Sequence, residues 1–192
     1  MQSILKRLFK NDVKARPLQL GRFTDHYKEK SKLLDWDYSL DLYSKGNFFG
    51  SVLKFLSYLN IDEQENVVIT ENAGSKIRFK MYQGSKCVNG FANEDGFFAE
   101  VKLAHCSFPK KELLKLLLEK NYELQYSSFA LDSDENICMT FYTDVESASP
   151  YKLYYGLKEL ATTSDKNDDV LIKKFEGINA ISDGYILHLS EE

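Results

Sequence analysis

The chain has 192 residues, of which 43% are hydrophobic and 14% aromatic, and it contains only 3 prolines. This composition is typical of one ordered domain, or of one domain with an appended segment, and it excludes a disordered or fibrous protein. Lys and Arg number 25 against 29 Asp and Glu, so the formal net charge is −4. That charge argues against nucleic acid as a partner, because nucleic-acid binders usually present a strongly basic surface.

The charge is divided unevenly between a basic N-terminal arm, residues 1–32, and the rest of the chain. The arm carries a net charge of +6, whereas residues 33–192 carry −10. We predict that the arm contains a short amphipathic helix in residues 1–10 and that residues 33–192 form a single domain. Attraction between the arm and the acidic body is the simplest reason for the split, and weak contact with an anionic membrane is the alternative.

The sequence predicts neither export nor membrane insertion. Residues 1–10 lack the unbroken apolar core and cleavage site of a secretory signal, and no window approaches the roughly 20 apolar residues of a membrane span. Cys87, Cys106 and Cys138 are odd in number and form no C-x-x-C pair. We therefore expect reduced thiols and a cytoplasmic protein.

The predicted domain begins with a pair of amphipathic helices. Apolar residues recur at three- to four-residue spacing from Leu33 to Tyr43. Gly46 suits the end of this helix, and Asn47 suits the cap of the next one. The second helix is predicted over 48–59.

Alternating apolar and polar residues then predict strands. Three of them fall at 67–70, 77–82 and 86–92, and a fourth follows the turn at 93–96. The Asp-Gly pair in this turn is a strong hairpin signal. A second hairpin is predicted over 122–142.

Two further helices are predicted in the second half of the chain. The first opens at Ser107 and Pro109, and its leucines span an arc of roughly 200°, twice the width of the apolar stripe on an ordinary surface helix. We expect it to bury two sides, one of them on its own sheet. The second helix is capped by Ser149, begins with Pro150 and extends toward Phe175.

This order of elements predicts an α+β fold, with an antiparallel sheet of about five strands covered by helices. Residues 185–189 have the alternation of an added edge strand. Short hairpins that are separated in sequence from helices are the feature that favours this class over a parallel α/β fold.

From Phe48 to Phe175, the order of elements resembles the type III secretion chaperone-like fold and, within it, the YbjN-like bacterial proteins. The resemblance covers about two thirds of the chain and excludes the basic arm. Its motifs are apolar positions around turns, at Asn121–Leu124, Phe129–Asp132, Asn136–Met139 and Leu157–Ala161.

The resemblance implies a small, acidic, cytoplasmic homodimer without a catalytic site. Secretion chaperones of this fold hold an extended segment of a client protein, and their middle helix commonly forms the dimer interface. YbjN-like proteins are described as sensory-transduction regulators. Together with the wide leucine arc, the resemblance implies a dimer interface at Leu113, Leu114, Leu117 and Leu118.

Aromatic residues with charged neighbours fall on strand positions that alternation assigns away from the helices. Exposed aromatic side chains surrounded by charges are typical of peptide-binding surfaces. The simpler interpretation is ordinary cross-strand pairing, with Lys80 or Arg78 against Glu100. The predicted partner-binding residues are Tyr82, Phe98, Tyr142, Arg78 and Lys80.

No motif predicts catalysis, a metal site or a cofactor. The acidic runs at 132–136 and 165–176 resemble calcium loops, but each lacks the glycine that such a loop needs at its sixth position. His105 and Cys106 are neighbours on a predicted strand and point to opposite faces, so they form no dyad.

We therefore predict a non-enzymatic protein-binding module that holds an extended or amphipathic segment of a partner by strand addition or by docking in a groove. The alternative is a ligand-sensing regulator with a pocket between sheet and helices, lined by Phe79, Tyr126 and Phe141. An enzyme of unrecognised type is a third hypothesis.

Overall fold

The computed structural model describes residues 28–61, 65–84 and 86–181, and in this part of the chain there are four helices and seven strands. The predicted helix at 1–10 and the predicted edge strand at 185–189 lie outside the described residues. In chain order, the elements are α1 (Lys30–Ser44), α2 (Phe48–Leu59), β1 (Val67–Asn72), β2 (Ile77–Gln83), β3 (Lys86–Ala92), β4 (Gly96–His105), α3 (Lys111–Asn121), β5 (Ser127–Leu131), β6 (Asn136–Asp144), α4 (Pro150–Lys174) and β7 (Asn179–Ala180).

The strands form one antiparallel sheet in the order β1-β2-β3-β4-β6-β5, and the short β7 pairs with the end of β4. This confirms the predicted α+β class and the antiparallel sheet. The sheet has seven described strands rather than about five. The difference arises in part because β7 has only two residues, which is too short for an alternation pattern to show.

The inner face of the sheet is covered by α4, which contacts β2 to β6. Its centre is a chain of three fully buried rings, with centroids 5.5 Å apart between Phe79 and Phe97 and 6.0 Å apart between Phe97 and Phe141. The two rings at the ends of this chain, Phe79 and Phe141, each pack against a glycine. A Cβ atom at Gly90 would lie 2.2 Å from Cζ of Phe79, and one at Gly156 would lie 2.4 Å from Cζ of Phe141.

The α1–α2 pair is joined by polar contacts along its length. Asp35 of α1 accepts hydrogen bonds from Lys54 Nζ at 2.8 Å and from Ser57 Oγ at 2.6 Å. The predicted junction is confirmed, since Gly46 has a φ of +75° and the Asn47 side chain accepts from Gly50 N at 3.0 Å. Because α1 begins at Lys30, the last residues assigned to the basic arm form the first turn of this helix.

Two predicted boundaries are wrong. Helix α3 begins at Lys111 rather than at Ser107 or Pro109, and β5 begins at Ser127 rather than at residue 122. Residues 122–126 leave the ladder because the carboxylate of Glu159 on α4 accepts the backbone N–H groups of residues 125 and 126. The predicted start of α4 is confirmed, with Ser149 accepting from Lys152 N and Pro150 at the first position.

Over the described part of the chain, no helix combines the length and apolar character needed to cross a membrane.

Candidate functional site

The outer face of the sheet carries a row of aromatic side chains across three adjacent strands, here called the aromatic row: Phe91, Phe98 and Tyr142. Phe98 is paired in register with Phe91 on one side and with Tyr142 on the other. The Phe91 and Phe98 rings lie 5.3 Å apart between centroids, and Tyr142 is 59% exposed. The row therefore continues from a half-buried pair to an accessible ring.

A charged group closes the row at its β2 end. Arg78 is the register partner of Phe91, and its Cζ lies 5.9 Å from the centroid of that ring. The Arg78 Nε also lies 2.8 Å from Glu71 Oε2. Arg78 therefore pairs with Glu71, whereas simple cross-strand pairing predicts Glu100. Lys80, in the next row of the same face, is exposed.

Tyr82 departs from the predicted surface. It is only 5% exposed, and its register partner Cys87 is also buried. Alternation assigns Tyr82 to the outer face, but it does not determine whether that part of the face is covered. The exposed position expected for Tyr82 is therefore wrong, whereas Phe98, Tyr142, Arg78 and Lys80 are half-exposed or exposed.

Phe91 belongs to the aromatic row but is not among the partner-binding residues predicted from the sequence. Asn89 and Gly90 interrupt the apolar alternation of β3, and this hides its periodicity. The signal was nevertheless present in the hairpin turn, because the turn at 93–96 fixes the register and places Phe91 opposite Phe98.

The four leucines predicted at a dimer interface fall on two sides of α3. Leu113 and Leu117 are buried in the core of the same chain. Leu114 and Leu118 are exposed and continue into the exposed Tyr122, four residues further on. We call these three residues the α3 stripe: Leu114, Leu118 and Tyr122. Of the four predicted leucines, Leu114 and Leu118 are therefore the two that are exposed to a second copy.

At the β5 edge of the sheet, the Asn121 side chain covers the backbone of Phe129. The Asn121 amide donates to Phe129 O at 3.1 Å and accepts from Phe129 N at 2.7 Å. It thus occupies both backbone groups that Phe129 turns away from β6. An added strand at β5 would have to displace Asn121.

The β1 edge is less covered. Val67 N faces away from β2 and donates to Asn60 Oδ1 at 3.2 Å. Because backbone groups alternate along an antiparallel strand, the N–H and C=O of Ile69 face the same way. Among the described residues, no loop, turn or side chain forms a hydrogen bond with these two groups, and the Ile69 side chain is exposed.

An ion pair holds the β5–β6 turn to β4. Lys102 Nζ lies 2.8 Å from Asp132 Oδ2, and Asp132 Oδ1 accepts from the backbone N of Asp134 at 2.9 Å and of Asn136 at 2.8 Å. Burial alone would raise the pKa of Asp132, but these hydrogen bonds outweigh it and hold the pKa well below its ordinary value. This carboxylate therefore stabilises the turn between β5 and β6 and pairs with Lys102.

The thiol of Cys138, next to this ion pair, is held in its protonated form. Burial, reinforced by the negative charges of Glu100 and Asp132, raises the pKa of Cys138 to about 12. A thiolate is the reactive form of cysteine, so Cys138 is protonated at neutral pH and unreactive. All three cysteines are free and buried.

The three residues proposed to line a sensing pocket are separated by the fold. Phe79 and Phe141 are fully buried and close on glycines. Tyr126 lies at the surface and stacks on Tyr155, with ring centroids 6.4 Å apart. Phe79 and Phe141 therefore fill the core rather than line a cavity with Tyr126.

No family model matches the sequence, and no curated protein matches it. Two solved structures share a distant likeness. One is a chain of the heterodimeric ExoU–SpcU complex from the type III secretion system of Pseudomonas aeruginosa, with 12% identity over 59% of this chain and 89% of that one, at a TM-score of 0.38. The other is a chain of the ExsC–ExsE complex, with 8% identity over 75% of this chain and 97% of that one, at a TM-score of 0.35.

The relation to YbjN-like proteins remains a prediction.

Proposed function

We propose that this protein is a binding module that receives an extended segment of a partner protein on the outer face of its sheet, a role that requires no catalysis. The supporting observation is the aromatic row, which crosses three strands on a solvent-facing surface. Clustered aromatic anchors with a charged rim are the residues that carry most of the energy in protein interfaces.

Each side chain has a distinct part in this proposal. Phe98 and Tyr142 are the anchors, and Phe91 supports Phe98 from the neighbouring strand. Arg78 is held between Glu71 and the Phe91 ring, so binding would cost little additional side-chain entropy. Lys80 adds a second positive charge at the rim, and the buried Tyr82 is assigned no contact.

The length of the surface suits a short extended segment. From Glu71 on β1 to Tyr142 on β6, the proposed surface crosses four strand spacings, or about 19 Å at about 4.8 Å each, which corresponds to about six extended residues. Because Asn121 occupies the backbone groups of Phe129 on β5, we place backbone pairing with the partner on β1, near Ile69. The segment is therefore expected to dock mainly through its side chains.

Partner capture by matched variants tests this surface. The double variant Phe98→Ala/Tyr142→Ala removes the anchors, and Tyr38→Ala is the control because Tyr38 on α1 is 56% exposed, close to the 59% of Tyr142. We expect a recurrent protein partner to be captured by the unmodified chain and by Tyr38→Ala, and to be lost with the double variant. Equal capture by all three proteins would contradict the proposed surface.

We also propose that the chain is a homodimer through the α3 stripe. A continuous exposed apolar line of Leu114, Leu118 and Tyr122 beside a core that already contains Leu113 and Leu117 supports this arrangement. Light scattering is expected to give a dimer for the unmodified chain and a monomer for Leu118→Lys. Leu34→Lys is the control, since Leu34 is 58% exposed and Leu118 64%; a monomeric unmodified chain at high concentration would contradict the proposal.

The cytoplasmic location predicted from the cysteines belongs to the same proposal and is compatible with three free thiols. A ligand-sensing regulator of the YbjN-like type is the alternative hypothesis. Its proposed pocket residues give it no support, because Phe79 and Phe141 fill the core.

A further inference from the structure

A β-bulge changes the direction of the last residue of β4. β4 pairs with β6 through Lys102 and again from Ala104, so Leu103 is an extra residue without a partner. Strict alternation from Lys102 would turn His105 toward the core. The bulge instead turns His105 to the outer face, directly opposite Asn136.

On that face, His105 joins a chain of four polar side chains. Its Nε2 lies 2.9 Å from Ser107 Oγ, and its Nδ1 lies 3.2 Å from Asn136 Oδ1. The Asn136 Nδ2 donates to Asp132 Oδ2 at 2.8 Å. Because an ionised carboxylate can only accept hydrogen bonds, the amide nitrogen of Asn136 faces Asp132 and its oxygen faces His105.

This orientation selects one tautomer of the neutral imidazole. The amide oxygen of Asn136 can only accept, so His105 Nδ1 carries the hydrogen and donates it. The Nε2 lone pair then faces Ser107, whose hydroxyl donates to it. A nucleophile in hydrogen-bond reach of a base that is itself oriented by a third group is the arrangement that activates serine for acyl transfer.

The serine lies where a small molecule can reach it. Ser107 and His105 are half-exposed, and the adjacent Phe108 is almost fully exposed. Within the described part of the chain, the backbone N–H groups of Ser107 and Phe108 donate to no acceptor. Free N–H groups beside a nucleophile are the donors that stabilise the oxyanion formed when it attacks a carbonyl.

We propose that Ser107, with His105 as its general base, takes the acyl group of a small activated carboxylic ester and transfers it to water. Ser107 Oγ bonds to the carbonyl carbon as its proton passes to His105 Nε2. The carbon–oxygen bond to the leaving alcohol or phenol then breaks, and the leaving oxygen takes that proton. Water hydrolyses the acyl-serine by the same base, releasing the carboxylic acid and restoring the hydroxyl. Asn136 and Asp132 touch no reacting atom and act as positioning residues.

This activity goes beyond partner binding and uses other residues of the same face. Ser107 lies past the end of β4, and Phe98 and His105 are separated by roughly 20 Å of strand. We therefore expect Phe98→Ala/Tyr142→Ala to leave ester hydrolysis unchanged and Ser107→Ala to leave partner capture unchanged. Failure of one proposal leaves the other standing.

Acetylation by p-nitrophenyl acetate tests the nucleophile in the full chain. We expect release of p-nitrophenolate, a protein mass increased by one acetyl group, and a peptide map that places this group on Ser107. His105→Gln is expected to slow acylation on the order of 100-fold, and Ser107→Ala is expected to abolish it. The control is Ser147→Ala, since Ser147 is exposed and its hydrogen-bond partner is Asp144 Oδ1 rather than a histidine.

Acetyl groups distributed over lysines, at the same rate in Ser107→Ala, would overturn the proposal. Labelling the unmodified chain with a fluorophosphonate probe is a second test of the nucleophile, and it does not depend on the folding of any variant. Labelling of Ser107 supports the nucleophile, and a chain that stays unlabelled argues against it.

The positioning role of Asn136 has its own spectroscopic readout. The ¹⁵N signals of the His105 ring are expected to show the Nδ1–H tautomer in the unmodified chain and a mixture of tautomers in Asn136→Leu, together with slower acylation. Finding the Nε2–H tautomer in the unmodified chain would overturn the proposed arrangement of Ser107, His105 and Asn136, irrespective of any variant.

Discussion

The two faces of the sheet are built from the same alternating strands but differ in how their side chains are used. On the inner face, the rings of Phe79 and Phe141 press against glycines, and the space between sheet and α4 is filled. On the outer face, aromatic residues occupy one end, and a polar chain from Asp132 to Ser107 occupies the other.

This difference indicates that the outer face can bind another molecule, whereas the inner face contributes only to the stability of the fold. A close-packed interior has no volume for a ligand and resists changes of a single methylene. Pairs on an open face contribute roughly 0.2–1 kcal/mol each, so they can be exchanged for contacts with another molecule. The following substitutions test the contrast.

Phe141→Ala is expected to have the largest effect. It leaves a cavity between β6 and Gly156 and should lower the free energy of unfolding by about 3–5 kcal/mol. Urea denaturation measures this loss. The comparison is Phe98→Ala on the outer face, which should cost about 1 kcal/mol; similar losses for both variants would remove the distinction between the two faces.

Gly156→Ala is expected to destabilise the chain even though alanine is the better helix former. Propensity alone would add up to about 1 kcal/mol of stability, but the new Cβ would lie 2.4 Å from Phe141 Cζ, and overpacking costs roughly 1–3 kcal/mol. Thermal unfolding gives the sign. In a Phe141→Leu background the smaller side chain should relieve the clash, so an unchanged cost in the double variant would show that the ring is not its source.

Asp132→Asn should cost about 1–2 kcal/mol at pH 7, because it removes a half-buried ion pair with Lys102. The native pKa of Asp132 is lowered, so the unfolded chain binds more protons, and this contribution is present above the unfolded pKa of about 3.9 and lost as the pH falls below it.

Chemical denaturation at pH 7 and near pH 3 is expected to show a smaller difference between the unmodified chain and Asp132→Asn at the lower pH. Asp134→Asn is the matched control, because Asp134 is exposed and lies 3.9 Å from the same lysine. A difference that grows on acidification would contradict the assigned sign.

Tyr142→Ala should have the smallest effect on folding, within about 0.5 kcal/mol, because the ring is exposed and makes one long hydrogen bond, 3.5 Å from Asp95 O. Equilibrium unfolding measures it. A loss as large as that of Phe141→Ala would make Tyr142 part of the core and would remove it from the proposed binding surface.

Much of the secondary structure could be predicted because it depends on neighbours in the chain. The junction at Gly46 and Asn47, the cap at Ser149 and the hairpin at 93–96 are signals within a few residues of one another. The alternation of β2 also assigned Arg78, Lys80 and Tyr82 correctly to one face.

The sequence by itself thus determined the α+β class, most of its elements and the face on which Phe98 and Tyr142 lie. Only the tertiary structure decided that Tyr82 is buried. It also decided that α3 turns Leu113 toward the core and Leu118 toward the solvent. It alone decided that His105 meets Ser107 and Asn136. The reason is physical, because a local pattern sets only the direction of a side chain relative to its own strand or helix. Whether that side chain is buried, and where a bulge such as that at Leu103 occurs, depends on how distant segments of the chain pair and pack.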